Sequence, residues 1–467
     1  MNDNKKLYIK EAVTILIGIA IALIPAPAGL EQRSMYFVGI TVWAILNWFL
    51  NTMPTFASGL LMLSLYVLTN TTTFAKAFSP FHGSTVWLII AVLLIGAAMS
   101  KSGLLSRLCL IIMNVFPPTF RGQVAALIGA GVVIGPTMPS TVAKVAIAGP
   151  FATKIGELLG FEKRSKGMNG MFLAMETGFA LLAPMFITCS FWAYQITGAL
   201  TPEEAEPFTF GGWFKLMLPW AIVALVLSYI AIIFMYKPDN SKTIDKTDIK
   251  NMLKDLGPMK RDEKITAAVL LVSLVMWILE RTINVAAVVT ALLAVGVLVF
   301  TKVIGVKELK GANWNLILFI GASTAISTVI ADVGMDVWLA DKLGPVIGPF
   351  ASNPYVFITI VSIAVLLVRF AMTSGAAVIV LFMVLLTPVC QAAGINPWVA
   401  GIIAYIMNQP WFLRYENPPF NGGFDAAGGD EYLDFNATVP FCAVFHVIAL
   451  LALFVCVPFW KGAGLLP

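Results

Sequence analysis

The stretch Gly135-Pro136-Thr137-Met138-Pro139-Ser140-Thr141-Val142-Ala143-Lys144 lies inside an apolar run, yet it holds two prolines, three hydroxyls and a lysine. Proline removes a backbone donor and clashes with the preceding turn, so no regular helix runs through it. The whole chain is 59% hydrophobic and only 12% charged, with a mean hydropathy of +0.88. Soluble domains average about 45–50% apolar and about 25% charged. The chain therefore reads as an all-α polytopic membrane protein. In lipid, every backbone group freed by a break needs a protein partner or a water-lined cavity. A second stretch, Arg369-Phe370-Ala371-Met372-Thr373-Ser374-Gly375-Ala376-Ala377, has the same design: Met138-Pro139-Ser140 reads against Met372-Thr373-Ser374, and Ala143 falls on Ala377. Paired broken segments in corresponding halves point to the binding site of a secondary transporter.

Length arithmetic turns the first stretch into a hairpin tip, and the repeated plan does the same for the second. Gln123 to Pro136 spans about 20 Å at ~1.5 Å per residue, short of a hydrocarbon core of ~30 Å. The chain is expected to enter, turn at Met138–Val142 and return, giving a re-entrant hairpin over 117–160. A second hairpin is expected over 353–393. Breaks at Glu176, Gly178 and Pro184 make 168–197 a discontinuous helix, and Leu413 to Gly423 does the same for 396–424. The expected architecture has about 11 transmembrane helices in two inverted repeats. Residues 1–84 form N-terminal scaffold and dimerisation helices. The first repeat covers 85–236, a cytoplasmic linker 237–264, and the second repeat 265–467. The linker has eight Lys/Arg against six Asp/Glu. Basic loops mark the cytoplasmic side, and Glu203, Glu204 and Glu206 suit the outer one. The expected location is the plasma (inner) membrane, with the N-terminus cytoplasmic, the C-terminus outside and no cleaved signal peptide.

Composition also narrows the chemistry. The five cysteines lie in apolar runs without paired spacing, and there is no HExxH, P-loop or GxSxG. No metal site, cofactor or nucleic-acid partner is expected, and the chain is not expected to be an enzyme. His82 reads as an outer-loop residue and His446 as a core histidine bonded to a neighbouring helix. At the tips, Ser140, Thr141, Thr373 and Ser374 offer hydroxyls beside helix N-termini, which favour anions; the same hydroxyls also suit plain capping. Lys144 stands one turn after Ser140, on the same face. An intramembrane lysine is a functional hypothesis by default. It would pair with a substrate carboxylate or stand in for a sodium ion. Glu176 has three open roles: a salt bridge to Lys144, sodium coordination or proton carriage. Arg369 precedes the second tip. Arg414 with Glu416 reads as a carboxylate-holding site or as an interfacial pair.

With these residues in place, the chain resembles the divalent-anion/sodium symporter family, the INDY-like dicarboxylate, citrate and sulfate carriers. The likeness covers nearly the whole chain as an order of elements. It includes Asn313-Trp-Asn-Leu-Ile-Leu-Phe-Ile-Gly321, Gly394-Ile-Asn-Pro397 and Asn417-Pro418-Pro419. The family carries Ser-Asn-Thr at each tip. The matching positions here are Ser140-Thr141-Val142 and Ser374-Gly375-Ala376, so both serines are kept while the asparagines and threonines are replaced. The resemblance implies substrate contacts at Ser140, Thr141, Ser374, Gly375, Asn417 and Pro418, and the tip hydroxyl of Thr373 joins them as a candidate contact. It implies candidate sodium sites near Ser140 and Ser374, with sodium or protons as coupling ions. It also implies a homodimer and an elevator-type transport domain. The expected function is secondary active transport of a small divalent organic anion, C4-dicarboxylate-like, by cation-coupled symport or anion exchange. The alternatives are a sulfate-like carrier and an ion or arsenite antiporter; an intramembrane enzyme ranks below them.

Overall fold

A computed structural model describes residues 3–351 and 353–467. The described residues are helical and contain no strand. The principal helices are α1 (Asp3–Ala22), α2 (Gln32–Leu50), α3 (Thr55–Leu68), α4 (Ser84–Ser102), α5 (Leu104–Val115), α6 (Phe120–Ile134), α7 (Thr141–Leu158), α8 (Lys166–Glu176), α9 (Phe191–Gly198) and α10 (Phe210–Met235). After them come α11 (Lys246–Asp255), α12 (Arg261–Ile278), α13 (Ala287–Phe300), α14 (Trp314–Asp332), α15 (Met335–Ala351), α16 (Pro354–Arg369), α17 (Gly375–Ala392), α18 (Trp398–Met407), α19 (Pro418–Ala426) and α20 (Phe435–Gly462). By length and composition, six helices among the described residues can cross a membrane, and shorter apolar helices accompany them. The linker stretch holds its own helix, α11, and α12 begins inside it at Arg261.

Two halves run through the same order of elements. A crossing (α4 or α14) leads to an arm (α5 or α15), then a hairpin (α6–α7 or α16–α17), a broken helix (α8–α9 or α18–α19) and a long crossing (α10 or α20). The matched pieces agree in length: α4 and α14 have 19 residues each, and α7 and α17 have 18 each. The halves interlock rather than sit side by side. The returning arm of the first hairpin, α7, packs on α19, and the returning arm of the second, α17, packs on α9 and α18. The long crossings α10 and α20 pack on each other, while α13 packs on α4 and α14 on α3.

Local chemistry explains the breaks. In the first broken helix the α-helix loosens into a π-turn over Thr177–Leu181 and then into two short 3-10 turns, Ala183–Met185 and Ile187–Cys189. π-Bulges of this kind concentrate at functional sites. Small residues allow the close approach that holds the bulge. A Cβ on Gly131 of α6 would come within 2.1 Å of the Gly178 backbone carbon, the contact that small residues provide between membrane helices.

Polar bonds collect at the two ends of the bundle. At one end Arg107 bonds Glu263 at 3.1 Å in a buried pair, and the linker is stitched to the hairpin base by Lys242 N to Leu159 O and Ile244 N to Pro118 O, both 2.9 Å. Lys101, bonded to Glu308 at 2.8 Å, holds that carboxyl below the ordinary carboxylate range. At the other end Gln391 Nε2 donates to Glu204 at 2.8 Å, Asn396 N to Leu465 O at 2.9 Å, and Arg281 to Glu206 O at 3.0 Å. The linker thus lies at one end, with Glu203–Glu206 and the C-terminal residues at the other. The five cysteines are free and buried. His446 bonds the Cys442 carbonyl of its own helix at 3.0 Å and stacks on Phe412.

Candidate functional site

Four half-helices begin at one place, and each begins with a side chain that can cap it. A helix start leaves its first N–H groups without intrahelical acceptors. Ser140 Oγ accepts from Ala143 N at 3.3 Å at the start of α7, and Ser374 Oγ from Ala377 N at 3.3 Å at the start of α17. In the first broken helix Ser190 Oγ accepts from Trp192 N at 3.3 Å at the start of α9. In the second, Asn417 Oδ1 accepts from Phe420 N at 3.0 Å at the start of α19, where Pro418 and Pro419 fill the first positions. Proline suits a first turn because its missing donor would be unpaired there anyway.

These four starts surround a cavity of about 370 Å³, within the size range of small-molecule sites. The tips supply Thr141 and Val142 from one hairpin and Thr373, Ser374, Gly375 and Ala376 from the other. The breaks supply Ala180, Ser190, Phe191 and Trp192, with Gln409, Asn417, Pro418 and Pro419 opposite them in the chain's second half. The wall is completed by Thr55 of α3 and by Asn313, Asn315, Leu316 and Phe319 at the start of α14. The cavity therefore lies between the core of hairpins and broken helices and the α3–α14 pair. No ionisable side chain lines it among the described residues.

The residues singled out in the sequence divide in two. Thr141, Thr373, Ser374, Gly375, Asn417 and Pro418 line the cavity, whereas Ser140 caps α7 and is not part of the lining. The charged residues support the walls instead. Lys144 is fully buried and its Nζ donates to Cys189 O, in the unwound part of the first broken helix, at 2.9 Å. It forms no ion pair with Glu176. Both Glu176 oxygens are buried without a hydrogen-bond partner, and the carboxyl lies against the α19 backbone near Gly423. Arg369 closes the second tip by donating to Met372 O at 2.8 Å and Thr373 O at 3.3 Å. Arg414 pairs with Asp430 rather than Glu416, and packs over Phe424 and Phe435. Glu416 folds back to accept from Phe412 N at 2.5 Å and Leu413 N at 2.8 Å. The i, i+2 spacing of Arg414 and Glu416 points them apart, and the next loop brings Asp430 to the arginine.

Ser190, Trp192, Gln409 and Thr55 were not anticipated. Ser190 carried a readable signal, a capping residue just before the apolar Phe191–Gly198. Trp192 seals the second tip: a Cβ on Gly375 would come within 2.6 Å of its ring and 2.8 Å of Asn408 Nδ2. Asn51 Nδ2 donates to Thr373 Oγ1 at 2.9 Å, tying this tip to the end of α2.

Residues 5–465 match the family described as the sodium:sulfate symporter transmembrane region. A putative malate transporter of Bacillus subtilis, YflS, is 26% identical over 350 residues, covering 73% of each chain. Dicarboxylate transporter 1 of Spinacia oleracea chloroplasts is 24% identical over 406 residues, covering 85% of this chain and 71% of the relative. The sodium-dependent dicarboxylate transporter SdcS of Staphylococcus saprophyticus is 22% identical over 458 residues, covering 89% of this chain and 86% of the relative. The crystal structure of the Alcanivorax borkumensis YdaH transporter has the same fold. It superposes with a TM-score of 0.56 at 15% identity, covering 94% of this chain and 100% of that one.

Proposed function

This chain belongs to the sodium:sulfate symporter family, and we propose that its cargo is a small organic dianion, in the first place a C4-dicarboxylate. Family membership makes it a multi-pass membrane transporter of small anions rather than an enzyme. The observation that carries the substrate class is the convergence of four helix N-termini on one cavity. Each N-terminus is equivalent to about half a positive charge, so four supply about two, the charge of a dicarboxylate. N–H groups of the first turns and the hydroxyls of Thr141, Thr373 and Ser374 would hold the carboxylate oxygens. The donors come from two separate tips. Donors on two separate elements suit an anion that carries two carboxylates. Relatives named for malate and dicarboxylates support the same reading.

Movement follows from where the cavity lies. The hairpins, the broken helices and the paired α10 and α20 form a moving body. The bundle of α1–α4 with α12–α14 forms the scaffold it slides against, in an elevator-type homodimer. The end of the bundle that holds Lys101, Lys163, Arg164 and the linker faces the cytoplasm. That places the N-terminus inside and the C-terminus outside an inner or plasma membrane. At the first tip Lys144 supplies a fixed positive charge that balances the cargo during movement, which favours exchange of one anion for another. Counterflow of labelled malate into proteoliposomes preloaded with malate tests the reading. Rapid accumulation is expected. Accumulation of labelled sulfate without malate would favour the oxyanion instead.

A further inference from the structure

A membrane carrier holds a coupling cation with the carbonyls of unwound backbone and the C-terminal ends of half-helices. In this chain such carbonyls at both tips already accept from nitrogen donors of the protein. At the first, the buried ammonium of Lys144 takes Cys189 O at 2.9 Å. At the second, Arg369 takes the unwound Met372 O at 2.8 Å and Thr373 O at 3.3 Å, and just beyond them, in the first turn of α17, the Asn408 amide takes Gly375 O at 2.9 Å and the Gln195 amide takes Ala376 O at 3.0 Å. Neither Lys144 nor Arg369 has an ion-pair partner among the described residues. Arg369 keeps its charge whatever its surroundings and repels a second cation nearby, while Lys144 fills the first place with a nitrogen donor.

We propose that these nitrogen donors occupy both places where a coupling cation would bind, so that the carrier moves its anion without sodium. The proposal deepens the anion-exchange reading and rests on it. A bound dianion would meet four helix N-termini with the two basic side chains set behind them, so the closed complex does not rely on a co-bound sodium ion for positive charge. The arrangement also explains the altered tips. Where a cation cage would want extra side-chain oxygens, Val142, Gly375 and Ala376 present none.

Two measurements on the wild-type protein test this. The first is thermal unfolding of the purified protein in detergent, with sodium chloride replacing choline chloride at constant ionic strength. A ligand that binds only the folded state raises the melting temperature as its concentration passes its dissociation constant. No sodium-specific rise is expected up to the hundred-millimolar range; a saturable rise would overturn the proposal, whatever the substrate is. The second is malate counterflow in sodium, potassium and choline buffers. Equal rates are expected, and a steep requirement for sodium would overturn the proposal. An absence of malate counterflow in every buffer would count against the dicarboxylate reading, while the melting curves would still decide the sodium question. Lys144→Ala is expected to lose most of the counterflow in all three buffers.

Discussion

At the scale of single residues, the two tip serines have similar local geometry and different surroundings. Both cap a helix, but only Ser374 lines the cavity. Loss of a cap costs about 0.5–2 kcal/mol of stability, so Ser140→Ala and Ser374→Ala are expected to lower the melting temperature to a similar degree. Loss of a hydrogen bond to a charged ligand costs about 1.5–3 kcal/mol more, roughly tenfold or greater in affinity. Ser374→Ala alone is expected to show that loss in a malate competition titration. Equal weakening in both variants would put Ser140 in contact with the cargo. The hydroxyl pairs were legible in the sequence because they interrupt apolar runs. The bracing amides were not. Gln195 sits inside the apolar α9 and Asn408 at the end of the apolar α18, and their acceptors lie 181 and 33 residues away, beyond the reach of any local pattern. Lys144 announced itself as a charge at membrane depth, but its carbonyl partner depends on how the first broken helix unwinds.

At the scale of elements, the hairpins follow from their tips: apolar helical arms joined by a proline- or glycine-bearing stretch that cannot be helical. The π-turn at Thr177–Leu181 had only the hints of Glu176 and Gly178, because a π-turn and an α-turn use the same residue types. The docking of the second tip offers a direct test. Gly375 leaves no room for a side chain against Trp192 and Asn408. Gly375→Val is expected to push the tip off α9 and α18, break the Asn408 bond and abolish transport. Because α16 and α17 keep their own helical bonds, the variant is expected to elute as folded protein on size exclusion. Normal transport by Gly375→Val would mean that the tip does not dock as described.

At the scale of the molecule, the repeat was readable because each half spends its apolar residues in the same order. What could not be read was the interlocking. That α7 should pack on α19 and α17 on α9 is a property of the folded pair, and it is why four helix starts from two halves meet in one cavity. The ends of the bundle give a test of orientation. Cysteines replacing Glu204 and Lys250, in a background with the native cysteines removed, are expected to react with an impermeant thiol reagent from opposite faces of the membrane, Lys250→Cys from the cytoplasmic one. Labelling from the same face would contradict the inverted repeat. The central claim is that four converging N-termini select a dianion. Its most direct test is malate counterflow in proteoliposomes challenged with unlabelled competitors of similar length and different charge. Succinate and fumarate, with two carboxylates, are expected to compete with labelled malate, while butyrate, with one, does not. Competition by butyrate as strong as that by succinate would contradict the account.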